Sequence, residues 1–424
     1  METIKLLKKY INEYLEIWPF SGVIGIYHNS QPVIESATGK ACREFNIDNT
    51  MGTCFSLGSI SKQFTAFSIM QLYDKGLIDI YKPANNYLPE ELQIDNRITP
   101  HHLMLHTSGL KQFYNWEDYF FGEYNRFTYC RKDYFDQYIN KPVHFTPGSQ
   151  FEYNNAGYNI LAWIVENISG LSFGEYLSDY IFKPLGMDNS VLDDGLNIIE
   201  GKAFPYQMRG DIPVRCLYYN EKFSIGAGAV VSNCRDLMTW YRCLKNKQLL
   251  SDSAYKLFFE EHLNGYCYGL NHDKTNEKDR YYHGGDHFGV MTYIQYFFDE
   301  DVCMVVMANQ ECGNHYRIGD AIRDIYFESK YKSPQRIAET ALTEEEASLY
   351  EGTYLEHKIE VRRNGNHLDY YRCNGEIKIS MYPAGLHQFA RKWDDQDNPS
   401  KFDVTEDGKV LFFGFEKRKP ASEP

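Results

Sequence analysis

The sequence predicts an α+β fold, with a large mixed body followed by a small all-β C-terminal unit. Up to about residue 330, stretches of helical apolar spacing alternate with short apolar runs that read as strands. Beyond Tyr350 the pattern changes to period two, punctuated by the turn dipeptides Asn364-Gly365, Asn374-Gly375 and Asp407-Gly408. A chain of 424 residues is also too long for most single domains. The expected division is a body over 1–330, a linker over 331–347 and a small antiparallel, lipocalin-like barrel of about seven strands over 348–424.

The body opens with a helix, because Ile4, Leu7, Ile11, Tyr14, Leu15 and Trp18 form one stripe. Gly22–Tyr27 and Pro32–Ala37 read as paired strands joined by a turn. A second helix carries Phe64, Phe67, Ile69, Met70 and Leu72, with Gly76 as its stop. Residues 77–150 are polar and turn-rich, and His101–Leu110 reads as a short helix ending in a Thr-Ser-Gly turn. A helix through Tyr158, Leu161, Ile164 and Val165 ends near Gly170. Gly226–Ser232 reads as a small-residue strand and Asp236–Cys243 as a helix. Three strands close the body, Tyr281–Gly285, Val290–Phe298 and Val302–Asn309, and sequential pairing is the simplest arrangement.

A net charge of −14 disfavours nucleic acid and anionic membrane as partners. With 35 tyrosines, core and cleft should be aromatic-rich. The ten cysteines form no Cys-x-x-Cys pair, so neither a disulfide framework nor a zinc site is suggested. His101, His102 and His106 lie close together without a carboxylate or cysteine at ligand spacing, which favours structural hydrogen bonding over metal. No cofactor is expected. No apolar run approaches the ~18 residues of a membrane span. Met1–Lys9 lacks a signal-peptide core, so a cytoplasmic location is expected.

The stretch that suggests chemistry is Gly58-Ser59-Ile60-Ser61-Lys62-Gln63, at the start of the second helix. Residues three apart share a helix face, so the Lys62 amine reaches the Ser59 hydroxyl. A serine hydroxyl becomes a nucleophile only beside a base. The spacing alone is not distinctive, since Ser108/Lys111, Ser253/Lys256 and Ser329/Lys332 share it and commonly mean a cap with a solvated lysine. Its company is distinctive. In order along the chain stand Ser59-x-x-Lys62, His106-Thr107-Ser108-Gly109, Tyr153-x-Asn155 and His283-Gly284-Gly285.

With these motifs, and with Phe145-Thr146-Pro147-Gly148 and Met307-Ala308-Asn309, the chain resembles the serine β-lactamase and penicillin-binding-protein superfamily over about residues 15–310. It looks most like the branch of class C β-lactamases, D-Ala-D-Ala carboxypeptidases, D-aminopeptidases and esterases. The resemblance implies a β-lactamase-like transpeptidase fold, an antiparallel sheet flanked by helices plus an all-helical part. It implies Ser59 as acylated nucleophile and Lys62 as proton acceptor or as the partner that keeps Tyr153 a phenolate. Tyr153 would relay the proton to the leaving group. Asn155 would bond Lys62 and the substrate amide. The N–H groups of Ser59 and Asp286 would form the oxyanion hole, beside Gly284 and Gly285. The substrate would be a small molecule or short peptide, and a homo-oligomer is compatible with the family.

His283 would stand where many relatives carry the lysine of Lys-Thr-Gly. A histidine is mostly neutral above pH ~6.5 and offers a weaker, switchable contact to a carboxylate. That argues against a dedicated β-lactamase or carboxypeptidase and favours amides, peptides or esters engaged otherwise. The expected function is a serine hydrolase of D-aminopeptidase or esterase type. The rival is a penicillin-binding or sensor protein that holds peptide-like ligands without efficient turnover. A barrel of this size is expected to have a filled interior, and a loop of it reaching over the cleft is the alternative.

Overall fold

The computed structural model describes residues 2–111, 130–209, 212–216, 219–311, 315–335, 341–354, 359–372, 377–390, 400–412 and 415–417. The body is built on a six-stranded antiparallel sheet. Its spatial order is Asn271–Thr275, Lys278–His287, Val290–Phe297, Val302–Ala308, Gly22–His28 and Gln31–Thr38. The central strands read as unbroken apolar runs because both sheet faces are covered. Successive side chains point to opposite faces of a strand. Ile24, Ile26, Met304 and Val306 accordingly pack under the N-terminal helix Glu2–Ile17 and the helix His315–Glu328. Val23, Tyr27, Val305 and Met307 face the other way, into the main core.

That core surrounds the helix Lys62–Asp74, buried without interruption from Lys62 to Leu72. The apolar stripe expected from the sequence is therefore only one of its buried faces. The polar faces are buried too, because each group has a partner. Gln63 Oε1 accepts from Trp240 Nε1 at 3.0 Å and from the Tyr296 hydroxyl at 3.1 Å. Thr65 Oγ1 donates to Gly226 O at 2.6 Å.

Two readings change. The run Gly226–Ser232 is strand only over Val230–Ser232, where it pairs with Phe55–Ser56 and Val191–Leu192. Gly226 precedes it in a turn pressed against Tyr158 O, where a β-carbon would overlap. The edge strand Asn271–Thr275 and the helix His315–Glu328 were not expected.

Among the described C-terminal residues, eight antiparallel strands pair in sequential order, and seven strands make a nearly closed barrel. Its interior is filled by Tyr354, Leu368, Met381, Phe389, Phe402 and Phe412. Asn364-Gly365 and Asp407-Gly408 turn with glycine φ of +62° and +82°, which glycine adopts without strain. The Asn374-Gly375 turn lies outside the described residues. The expected linker 331–347 contributes Leu342 and Ala347 to the barrel core, because the helix Glu344–Tyr350 packs one face inward. Among the described residues no helix is long and apolar enough to cross a membrane.

Candidate active site

Ser59 sits in the short 3-10 turn Gly58–Ser61 that feeds the helix starting at Lys62. Backbone contacts hold this turn. Leu57 N donates to Val230 O at 2.8 Å, and Ser61 Oγ accepts from Val230 N at 3.0 Å. Thr292 Oγ1 donates to Leu57 O at 2.7 Å and to Gly285 O at 3.1 Å, tying the turn to the strand Lys278–His287. Gly58 has φ +53°, and a β-carbon there would lie 3.0 Å from Gly285 Cα. A β-carbon on Gly285 would overlap Leu57 O. Paired glycines are needed here because two backbones meet.

Lys62 is fully buried, with Nζ 2.8 Å from Ser59 Oγ and donating to Ala227 O at 2.9 Å. Burial without a neighbouring carboxylate holds its pKa well below the ordinary lysine value. An amine pushed toward its neutral form has a lone pair that can accept a proton.

The Tyr153 hydroxyl is directed at Ser59, a contact that partly offsets the effect of burial, yet burial still raises its pKa. The expectation that a charged Lys62 lowers it does not hold, since desolvation dominates at Tyr153 and disfavours the charged form of both groups. The His106 ring lies 4.2 Å from the Tyr153 ring, centroid to centroid. His106 Nδ1 accepts from Asn154 N at 3.0 Å, and Asn154 Oδ1 caps the helix Asn155–Ser169 by accepting from Gly157 N. Asn155 therefore enters the helix at its first turn and lines the same cavity as Ser59. The neighbouring histidines also have structural partners. His102 completes the cap at Thr99, and His101 Nδ1 is 2.6 Å from the Tyr268 hydroxyl.

His283 is buried, with Nδ1 2.6 Å from Gly284 O and Nε2 3.1 Å from the Tyr266 hydroxyl. A carbonyl oxygen only accepts, so Nδ1 carries the proton and Nε2 accepts from Tyr266. Burial, the larger cause, pushes its pKa down to about 3, reinforced by Lys62 whenever that amine carries a proton. The switchable contact expected from the sequence is therefore moved out of the neutral range.

The cavity has a volume of ≈ 560 Å³. Ser59, Tyr153, Asn155, His283, Gly284 and Asp286 line it, with Lys62 and Gly285 directly behind. All eight expected residues thus converge. Among the described residues, every lining group falls between Gly58 and Tyr316. Sequence reading missed Tyr266, His315 and Tyr316. The stripe Ile318, Ile322 and Ile325 was a signal for the helix that carries the last two.

Residues 8–326, about three quarters of the chain, match the family model Beta-lactamase. The chain belongs to the beta-lactamase family. It is 26% identical over 365 residues to penicillin-binding protein 4* of Bacillus subtilis, covering 79% of this chain and 80% of that protein. The octameric penicillin-binding protein homologue from Pyrococcus abyssi shares the fold with a TM-score of 0.67 at 21% identity, covering 98% and 99% of the two chains. The D-amino acid amidase from Ochrobactrum anthropi shares it with a TM-score of 0.66 at 17% identity, covering 78% and 100%. The Pyrococcus abyssi likeness spans the C-terminal barrel as well as the body.

Proposed function

We propose that this member of the beta-lactamase family is a serine hydrolase that works through an acyl-enzyme on Ser59. It cleaves an amide, a D-amino-acid-containing peptide or an ester. The observation that carries the reading is the 2.8 Å approach of the buried Lys62 amine, whose pKa burial holds well below the ordinary lysine value, to the Ser59 hydroxyl. In this scheme Ser59 Oγ attacks the carbonyl carbon as its proton passes to Lys62 Nζ. The oxyanion is held by the N–H groups of Ser59 and Asp286, on two backbones that the glycines bring together. The raised pKa of Tyr153 suits a phenol that passes a proton to the leaving group, not a resident phenolate. Asn155 would orient the substrate amide. Water then cleaves the acyl-enzyme through the same groups in reverse.

His283 acts in this scheme as a neutral wall, since both its nitrogens are engaged internally. That favours substrates without a carboxylate at this point. The amidase neighbour supports the amide class. A fluorophosphonate probe with peptide mapping tests the assignment. Labelling should fall on Ser59, and Ser59→Ala should abolish both labelling and hydrolysis of p-nitrophenyl acetate. Labelling at another serine, or hydrolysis that survives the substitution, rejects it.

The division into body, linker and barrel belongs to the same proposal, supported by the separate buried core of the barrel. So does a cytoplasmic location, supported by eight free cysteines among the described residues. A homo-oligomer is supported by the octameric homologue, and light scattering that reports a monomer would reject it.

A further inference from the structure

The proposed oxyanion hole uses only the backbone N–H of Asp286 and leaves its side chain unassigned. That side chain is 48% exposed, and Asp286 lines the cavity. Tyr316 donates its hydroxyl to Asp286 Oδ2 at 2.8 Å, and His315 Nε2 lies 3.2 Å from Oδ1. Both partners sit on the first turn of the helix His315–Glu328. Gly284 provides the space, since a β-carbon there would overlap the Tyr316 hydroxyl. The Tyr316 hydroxyl thus orients the carboxylate at the cavity wall, with the His315 ring beside it.

Its neighbours do not cancel its charge. Tyr316 is a phenol, and burial drives the His315 imidazole toward its neutral form, against the pull of Asp286. Among the described residues that line the cavity there is no lysine or arginine. Lys62 stands behind Ser59, and His283 is internally bonded. The cavity therefore offers one carboxylate among the aromatic rings of Phe151, Tyr219, Tyr282 and Tyr316. An anionic substrate meets repulsion there. A cation gains a charge-assisted hydrogen bond and aromatic faces.

We propose that Asp286 is a specificity-determining residue that selects substrates with a cationic group beside the scissile carbonyl, namely the free α-ammonium of an amino-acid amide, ester or peptide. The location follows from connectivity. If the N–H of Asp286 receives the carbonyl oxygen, the carboxylate of the same residue flanks the α-substituents of that carbonyl. This inference rests on the hydrolase reading above.

The test compares kcat/KM for D- and L-alanine p-nitroanilide with that for their N-acetyl counterparts. The wild-type chain should prefer the free-amino substrates by at least about tenfold. In Asp286→Asn the ratio should fall to near unity. A loss common to both substrates, from a disturbed oxyanion hole, cancels in the ratio. A wild-type preference for the N-acetyl substrates, or a ratio unchanged by Asp286→Asn, overturns the proposal. If neither substrate is turned over, binding to Ser59→Ala decides. Alaninamide should raise its melting temperature more than N-acetylalaninamide does, and adding Asp286→Asn should erase that difference. Equal shifts from the two amides overturn the proposal. Fluorophosphonate labelling of Ser59 reports separately on the hydrolase reading, so the two can fail independently.

Discussion

The two walls of the cavity are built on opposite terms. On the nucleophile side, Ser61, Lys62, Gln63 and Thr65 are buried and bonded inside the protein. On the strand side, Asp286 keeps a half-exposed carboxylate steadied by the Tyr316 hydroxyl. Desolvation makes the first wall reactive, because it lowers the lysine pKa without help from a second charge. Exposure makes the second wall selective, because a hydrated carboxylate exchanges water for a ligand cation with little desolvation penalty. Changes to the first wall should therefore lower the rate on every substrate, whereas changes to the second should re-rank substrates.

The largest effects belong to the first wall. Ser59→Ala and Lys62→Met should each lower kcat/KM on a neutral ester by at least about 10³-fold, measured by steady-state kinetics. Lys62→Met should also raise the melting temperature at neutral pH. The unfolded lysine is charged below its ordinary pKa of ~10.4, whereas the buried one resists that proton, so Lys62 reduces stability there. A melting temperature that falls in Lys62→Met would mean that the bond to Ala227 O outweighs desolvation, and the account of a dry, destabilising lysine would be wrong.

The paired glycines divide the two walls more sharply. Gly285→Ala places a methyl against Leu57 O, a backbone atom that cannot move without shifting the Ser59 turn. A loss of about 10²–10³ in kcat/KM is expected, the size of losing one oxyanion donor. Gly284→Ala overlaps the ring edge and hydroxyl of Tyr316, a side chain rather than the Ser59 backbone, so the ring must leave its place beside Asp286. Its loss should be smaller and should show as weaker discrimination between cationic and neutral substrates, because Asp286 loses one support. Equal, substrate-independent losses in the two variants would erase the distinction between the walls.

Most of the first wall was legible in the sequence and much of the second was not. Ser59 and Lys62 are three residues apart, so one local rule brings them together. Tyr153 and His283 came from motif order, because nothing local links them to Ser59. The burial of Lys62 on all sides was not legible. An apolar stripe reports one face of a helix, and only the assembled sheet and Trp240 show that the other faces are covered too. His315 and Tyr316 lay beside a readable stripe of isoleucines, but their meeting with Asp286 depends on how the helix crosses the sheet. In the barrel, Asn364-Gly365 and Asp407-Gly408 set turns directly through positive φ, which is why its strands were readable one by one.

The smallest effect separates two uses of His283. If this histidine were a switchable substrate contact, kcat/KM would bend near its ordinary pKa of 6.5. With its pKa pushed down to about 3, no such bend is expected, and His283→Gln should leave the shape of the pH profile unchanged above about pH 5. The same shift predicts an acid weakness. The unfolded chain takes up a proton at this site below 6.5 while the folded chain refuses it until about 3. Stability is therefore whole above 6.5 and declines as the pH falls through that interval. Glutamine cannot take the proton, so the melting temperature of His283→Gln should drop less steeply than that of the wild type between about pH 7 and 4. His101, with a pKa lowered to about 4, and buried His106 add to the wild-type slope in the same direction, so the substitution should flatten it without abolishing it. Identical slopes would mean that His283 is protonated in the folded protein, and the cavity would then hold a cation on the strand side after all.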